Sequence, residues 1–399
     1  MVSEYTWITE LVKMEPLSAA NTQFSLNLFE KISGGNASGN VFYSPVSISS
    51  ALAMVSLGAK GNTADQMFKV LGLANPAAAT PDAHQPVEQI HSSFNELMSE
   101  LNKPGAPYVL SLANRLYGEQ TYQFLEKFLN DTKRYYEAGL EKVDLKNKPE
   151  DARVNINTWV EENTQEKIKD LLPSGAIDEL TRLVLVNAIY FKGNWEAKFP
   201  KEATRNGTFR LKWYKTKPVK MMHQTSVFPI GKIPEMRSKV LELPYEGNNI
   251  SMLIILPGGT TSLQKLEKAL TYEKLMEWTK PEVMRQQEVQ VSLPRFKMEQ
   301  TYDMKSLLIS MGMEDVFDPK KVNLTGMSSS NDLVLSKVIH KAFVEVNEEG
   351  TEAAAATDLF KELSLFSTPK TFTADHPFLF FIRHNPTNVI LFYGRFCSP

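Results

Sequence analysis

Lys341-Ala-Phe-Val-Glu-Val-Asn-Glu-Glu-Gly-Thr-Glu-Ala-Ala-Ala-Ala-Thr357 opens as a strand and then loses every large apolar group. In an extended chain Phe343 and Glu345 point to one face, Val344 and Val346 to the other. Apart from Glu352, Gly350 to Thr357 carries small side chains, and Asp358 to Thr373 mixes charge, Leu, Phe and Pro without a period. Ala is the best helix former, so the run reads in one way as a surface loop with a short Ala-rich turn. Its length favours a functional loop or a linker, because structureless loops beyond about 12–15 residues are uncommon in compact domains. The alternate positions Thr351, Ala353, Ala355 and Thr357 are all small. One face of the extended chain therefore fits between existing strands without steric obstruction. The second reading is a strand in waiting, metastable outside a sheet and more stable within one.

The flanking sequence supplies such a sheet. Leu183–Phe191 is too apolar for a strand with one solvated face and predicts a central strand buried on both. Further strands are predicted at Val240–Leu243, Ile250–Leu256, Val289–Leu293, Ala342–Val346, Pro377–Ile382 and Val389–Phe396. Toward the N-terminus the pattern is helical. Ser18 or Asn21 is placed to cap a helix in which Phe24, Leu28 and Ile32 recur, and Asn155–Leu172 reads as another. Asn75–Asp82 reads as an exposed loop. Helices first, then many strands with few βαβ alternations, predict an α+β fold. No repeat or Gly/Ser linker divides the chain, so residues 14–399 are expected to form one domain. Residues 1–13 are set apart as a non-globular extension, with Met14 as an alternative start.

The chain has 399 residues, 42% hydrophobic and 23% charged, enough for a large core. Lys and Arg (44) nearly balance Asp and Glu (46). With no basic tail or stripe, neither nucleic acid nor an anionic membrane is expected as a partner. Cys397 is the single cysteine, which suits a reducing compartment. Glu4, Thr9 and Glu10 interrupt any apolar leader, so the expected location is the cytoplasm. Nuclear access, or release without a signal peptide, is compatible with the same composition.

Catalytic signatures are missing: there is no Gly-x-Ser-x-Gly elbow, His-Glu-x-x-His, phosphate-cradling glycine loop or Cys-x-x-Cys pair. Gly35-Asn-Ala-Ser-Gly39 reads as a turn. His376 and His384 stand at the two ends of one predicted strand, too far apart to share a metal. The chain is therefore not read as an enzyme, and no cofactor or metal is expected.

Glu348-Glu-Gly-Thr-Glu-Ala-Ala-Ala-Ala-Thr357 resembles the reactive-loop hinge of inhibitory serpins. Asn40-Val-Phe-Tyr-Ser-Pro-Val-Ser-Ile-Ser49 resembles that family's shutter segment. Val186-Asn-Ala-Ile-Tyr-Phe-Lys-Gly-Asn-Trp195 resembles its central strand and breach tryptophan. Phe372-Thr-Ala-Asp-His-Pro-Phe-Leu-Phe-Phe381, followed by Gly394-Arg-Phe396, resembles its C-terminal signature. These motifs stand in the family's order along nearly the whole chain, and the hinge, the Ser-Pro ending and the absent leader resemble the intracellular, ovalbumin-type clade.

The resemblance implies a fold of three β-sheets and eight or nine helices, with an exposed reactive loop at about residues 348–373. It implies a suicide inhibitor: a protease takes the loop as substrate, and the cut loop inserts into the main sheet. It assigns the start of insertion to Gly350 and Thr351, with Glu348 anchored by a basic partner at Arg295. Ser44, Ser47, Asn187 and His340 correspond to the shutter, and Trp195 to the loop's entry point. Counting along the family's loop length puts the scissile bond between Ser364 and Leu365, with Leu363 and Phe366 beside it. The implied partners are chymotrypsin-like, elastase-like or cathepsin-type proteases, met by a monomer. Lys361 departs from the pattern: it shares the parity of Thr351, and a buried unpaired ammonium is costly, which predicts less efficient trapping. The alternative is a serpin that no longer inhibits and acts as a chaperone or binding protein.

Overall fold

The computed structural model describes residues 4–73, 87–212, 214–258, 261–349 and 368–399, with the backbone alone for 4–13 and Lys212. Among them are nine α-helices: α1 (Glu4–Gly35), α2 (Pro45–Ser56), α3 (Gly61–Leu71), α4 (Val87–Leu101), α5 (Glu126–Tyr136), α6 (Pro149–Asn163), α7 (Leu263–Ala269), α8 (Tyr272–Trp278) and α9 (Lys305–Ser310). The first seven strands are β1 (Val41–Tyr43), β2 (Tyr108–Glu119), β3 (Leu140–Val143), β4 (Leu183–Gly193), β5 (Arg205–Lys212), β6 (Lys215–Ile233) and β7 (Ser238–Pro244). The rest are β8 (Ile250–Pro257), β9 (Arg285–Pro294), β10 (Phe296–Asp303), β11 (Lys337–Val346), β12 (Lys370–Thr373), β13 (Phe378–His384) and β14 (Val389–Phe396).

Five strands form a sheet in the order β10-β11-β4-β2-β3. The apolar run of β4 lies inside it, and strand alternation sorts its side chains between two cores. Leu183, Leu185, Ile189 and Phe191 join the larger core, while Val184, Val186, Ala188 and Tyr190 face a second one shared with Ile156 and Val160 of α6. Burial on both faces, expected from sequence, is what this packing produces. β4 is antiparallel to β2 but parallel to β11, with Lys337 opposite Val184 and Val344 opposite Phe191.

The remaining strands run β1-β14-β13-β8-β7-β6-β9-β12, with β5 also on β6. β6 is 19 residues long, and its Ile230–Ile233 end pairs with β7 while its earlier length pairs with β5 and β9. It thus belongs to two sheets, one ending in β1 and one ending in β12, which makes three sheets in all. Beneath the five-stranded sheet lies α2, whose every residue is buried, with the Ser50 and Ser56 hydroxyls satisfied by carbonyls of the same helix.

Two helix expectations need correction. α1 starts at Glu4, within the segment set apart as an extension, and passes Ser18 and Asn21 without a break. Both are buried mid-helix, and Asn21 Nδ2 donates to Ile390 O at 3.0 Å instead of capping. α6 begins at Pro149, a residue suited to a first helical position, and ends at Asn163 rather than at Leu172. Beyond it Gln165, Glu166 and Asp170 take positive φ, which a right-handed helix cannot hold. Asn157 fixes the returning chain by exchanging two hydrogen bonds with the Leu172 backbone, at 2.8 and 2.9 Å.

Candidate functional site

The first cluster forms midway along the seam between β4 and β11. Ser44 is the N-cap of α2, with extended φ and ψ and Pro45 at the first helical position, the pairing expected at a helix start. Its Oγ accepts from Ser47 N at 3.3 Å and donates to Leu391 O at 2.6 Å. Its backbone N–H donates to His340 Nε2 at 3.0 Å. That bond makes Nε2 an acceptor, so the imidazole is neutral and carries its hydrogen on Nδ1. Nδ1 donates to Asn187 Oδ1 at 2.7 Å, and Ser47 Oγ donates to the same oxygen at 2.8 Å. Burial pushes the His340 pKa down to about 3, which agrees with a neutral ring. Asn187 and His340 are cross-strand partners in the β4–β11 register, so their bond stitches the seam itself. Asn187 Nδ2 is buried without a partner among the described residues.

The second cluster closes the head of the same seam, where β11 ends. Trp195 follows β4 and lies stacked on Tyr245, ring centroids 4.4 Å apart. Gly193 allows this approach, since any Cβ there would collide with the Tyr245 ring. The indole Nε1 donates to Asn347 O at 2.8 Å and the Trp195 backbone N–H to Glu349 O at 3.2 Å. Glu348 is buried; its Oε1 accepts from Thr204 Oγ1 at 2.8 Å and lies 3.4 Å from Arg295 Nη1. Glu349 pairs with Lys192 at 2.6 Å. The three residues after β11 are thereby fastened to the end of β4, to Thr204 and to Arg295.

The structure brings Ser44, Ser47, Asn187 and His340 together, and separately Trp195, Arg295 and Glu348. Gly350, Thr351, Ala353, Ala355, Thr357, Lys361, Leu363, Ser364, Leu365 and Phe366 lie outside the described residues, as does the Asn75–Asp82 loop. Thr204, Tyr245 and the Leu391 carbonyl belong to these clusters yet carry no signal in the sequence, being ordinary residue types whose roles arise from proximity. Cys397 is buried, and burial pushes its thiol up to about 11, so it is no nucleophile. His376 bonds Asp375 and the Pro257 carbonyl, whereas His384 bonds Thr387. Among the described residues no cluster of His, Cys, Asp and Glu is placed to hold a metal, and no helix is long and apolar enough to cross a membrane.

Comparison with known proteins places these features in context. Residues 19–399 match the family model "Serpin (serine protease inhibitor)". Leukocyte elastase inhibitors of Equus caballus and Homo sapiens are each 53% identical over 390 residues, covering 97% of this chain and 100% of theirs. Serpin B6 of Pongo abelii is 50% identical over 386 residues, with the same coverage. Uncleaved ovalbumin superposes with a TM-score of 0.88 at 38% identity, covering 96% of this chain and all of its own.

Proposed function

This chain belongs to the serpin family, and from that premise we propose that it is a suicide-substrate inhibitor of serine proteases. One observation carries the reading: β4 and β11 are parallel neighbours, and the hinge-like segment leaves from the end of β11. A chain that turns back there runs antiparallel to β11 and therefore to β4 as well. Insertion exchanges one parallel ladder for two antiparallel ones, which are slightly better per residue. Around ten added ladder bonds at about 0.5–1.5 kcal/mol each supply on the order of 10 kcal/mol. That rivals the stability of a whole domain and suffices to deform a bound protease. About fifteen residues at ~3.3 Å each also carry a tethered protease some 50 Å, from one end of the body to the other.

In this reading the neutral seam network is the latch that must part, and the fastened residues Asn347–Glu349 mark where insertion starts at Gly350 and Thr351. Cleavage falls between Ser364 and Leu365, with Leu363 and Phe366 setting preference. Elastase-like enzymes are the targets that the relatives' names favour, with chymotrypsin-like serine proteases and cathepsin-type cysteine proteases as further classes. The protein works as a cytoplasmic monomer without catalytic turnover of its own.

The test is to mix it with neutrophil elastase, cathepsin G, chymotrypsin and cathepsin L, followed by denaturing gels and mass spectrometry. An SDS-resistant adduct with a serine enzyme and a released peptide beginning at Leu365 are expected. Cleavage at the loop with no adduct and no lasting inhibition of any enzyme would overturn inhibition and leave a binding role.

A further inference from the structure

At the head of the five-stranded sheet lies an open cavity of about 660 Å³, lined on its basic part by Lys201, Lys220, Arg295 and Lys297. The strand pattern sets two of these. Phe296 packs inward against Phe378, Phe380 and Phe396, so alternation turns Arg295 and Lys297 outward together. Arg295 N–H donates to Lys220 O at 2.8 Å, which lays β6 and its Lys220 alongside. Lys201 comes from a separate 3-10 turn, Lys201–Ala203. All four side chains are exposed.

Glu345, Glu348 and Glu349 also line the cavity, but each is already engaged. Glu345 holds Lys167 at 3.3 Å and accepts from the Tyr190 hydroxyl, and although Lys297 stands opposite it in the β10–β11 register the two form no ion pair. Glu348 is taken by Thr204 and Arg295, and Glu349 by Lys192. Among the described residues, then, Lys201, Lys220 and Lys297 make no ion-pair contact with a carboxylate, and the Lys220 ammonium bonds only the neutral Asn206 Oδ1 at 2.6 Å. The excess positive charge is felt locally: Lys192 first, with Lys201 and Lys198 behind it, holds the Glu349 carboxyl below the usual carboxylate range.

We infer that this cavity binds a compact, multiply charged oxyanion, bearing phosphate or sulfate groups, through Lys201, Lys220 and Lys297. Ammonium groups suit oxyanions as point charges without demanding a forked geometry. Because the three come from three separate segments, a single small monoanion engages them poorly and a polyanion engages them all. The one aromatic lining residue, Phe296, is turned into the core, so nucleobases find no stacking platform. An occupant ties β6 to β10 beside the chain leaving β11.

Calorimetric titration of the full chain with tripolyphosphate, and separately with a heparin-derived tetrasaccharide, tests this at low salt. One saturable site is expected, weakened about tenfold between 20 and 150 mM salt. Lys201→Gln, Lys220→Gln and Lys297→Gln each weaken binding about three- to tenfold, the triple variant abolishes it, and the remote Lys320→Gln leaves it unchanged. Tighter binding of tripolyphosphate assigns the site to phosphate, and tighter binding of the tetrasaccharide assigns it to sulfate esters. No binding of either probe at about 1 mM, or wild-type affinity in a triple variant with an unaltered thermal midpoint, overturns the inference.

Discussion

Midway along β4 and β11, the side chains that bridge the two strands are neutral and sealed off, with Asn187 1% and His340 0% exposed. At the head the fastening is ionic and half open to water, the Arg295 and Glu349 side chains each being 46% exposed. The seam is thus held one way in its middle and another where the chain leaves β11. Buried neutral hydrogen bonds are costly to lose because each orphaned partner stays desolvated, whereas exposed ion pairs contribute little and yield to water. A seam built like this opens more easily from its head, where the hinge segment departs, than from its middle.

The largest effect expected on native stability comes from His340→Ala. It strips the Ser44 N–H of its acceptor and Asn187 Oδ1 of one donor, a loss of about 3 kcal/mol in urea unfolding. Loss of less than half that amount would break the comparison at its strong side.

Acid is the next probe. His340 is neutral when folded, with a pKa near 3 against about 6.5 unfolded. Its contribution is full above about pH 6.5 and disappears as the pH falls toward 3, at about 1.4 kcal/mol per pH unit. Burial lowers His91 and His384 to about 4 as well, so the useful quantity is a difference. Between pH 6 and 4, the unfolding free energy of His340→Gln should fall less steeply than that of wild type, by up to that slope; equal slopes would mean that the ring is not held neutral.

At the head, Trp195→Phe removes the bond to the Asn347 carbonyl and reduces the stack on Tyr245. A cost of about 1–2 kcal/mol is expected, together with faster hydrogen exchange confined to Asn347–Glu349. Arg295→Gln should be the mildest, within about 1 kcal/mol, because the Arg295 side chain is half exposed and the buried Glu348 keeps its bond from Thr204. If Arg295→Gln proved as damaging as His340→Ala, the distinction between the two regions would collapse.

Much of the fold was legible from sequence because its signals are local. β4 announced itself by an apolar run, and β7, β8, β9, β13 and β14 by short ones. β2 and the long β6 escaped because half-buried, polar-rich strands carry no such run: the apolar residues of Tyr108–Ala113 are interrupted by Ser111 and followed by Asn114 and Arg115, and β6 is studded with lysines. α6 was placed too far along the chain, since a helical apolar spacing continues past Thr164 while the backbone has already turned. The seam residues were singled out by their resemblance to a motif, yet only the tertiary structure shows which atom bonds which.

The small-residue run after Gly350, the two-sided burial of β4, the lack of catalytic motifs and the family resemblance were determined by the sequence alone, because each depends on residue type and spacing. The convergence of Ser44, Asn187 and His340, the engagement of Glu348 by Thr204, and the gathering of Lys201, Lys220 and Lys297 around one cavity were decided by tertiary structure. Those contacts join residues up to 296 positions apart, and hydrogen bonds and charges act across a few ångströms of space however far apart the chain places them.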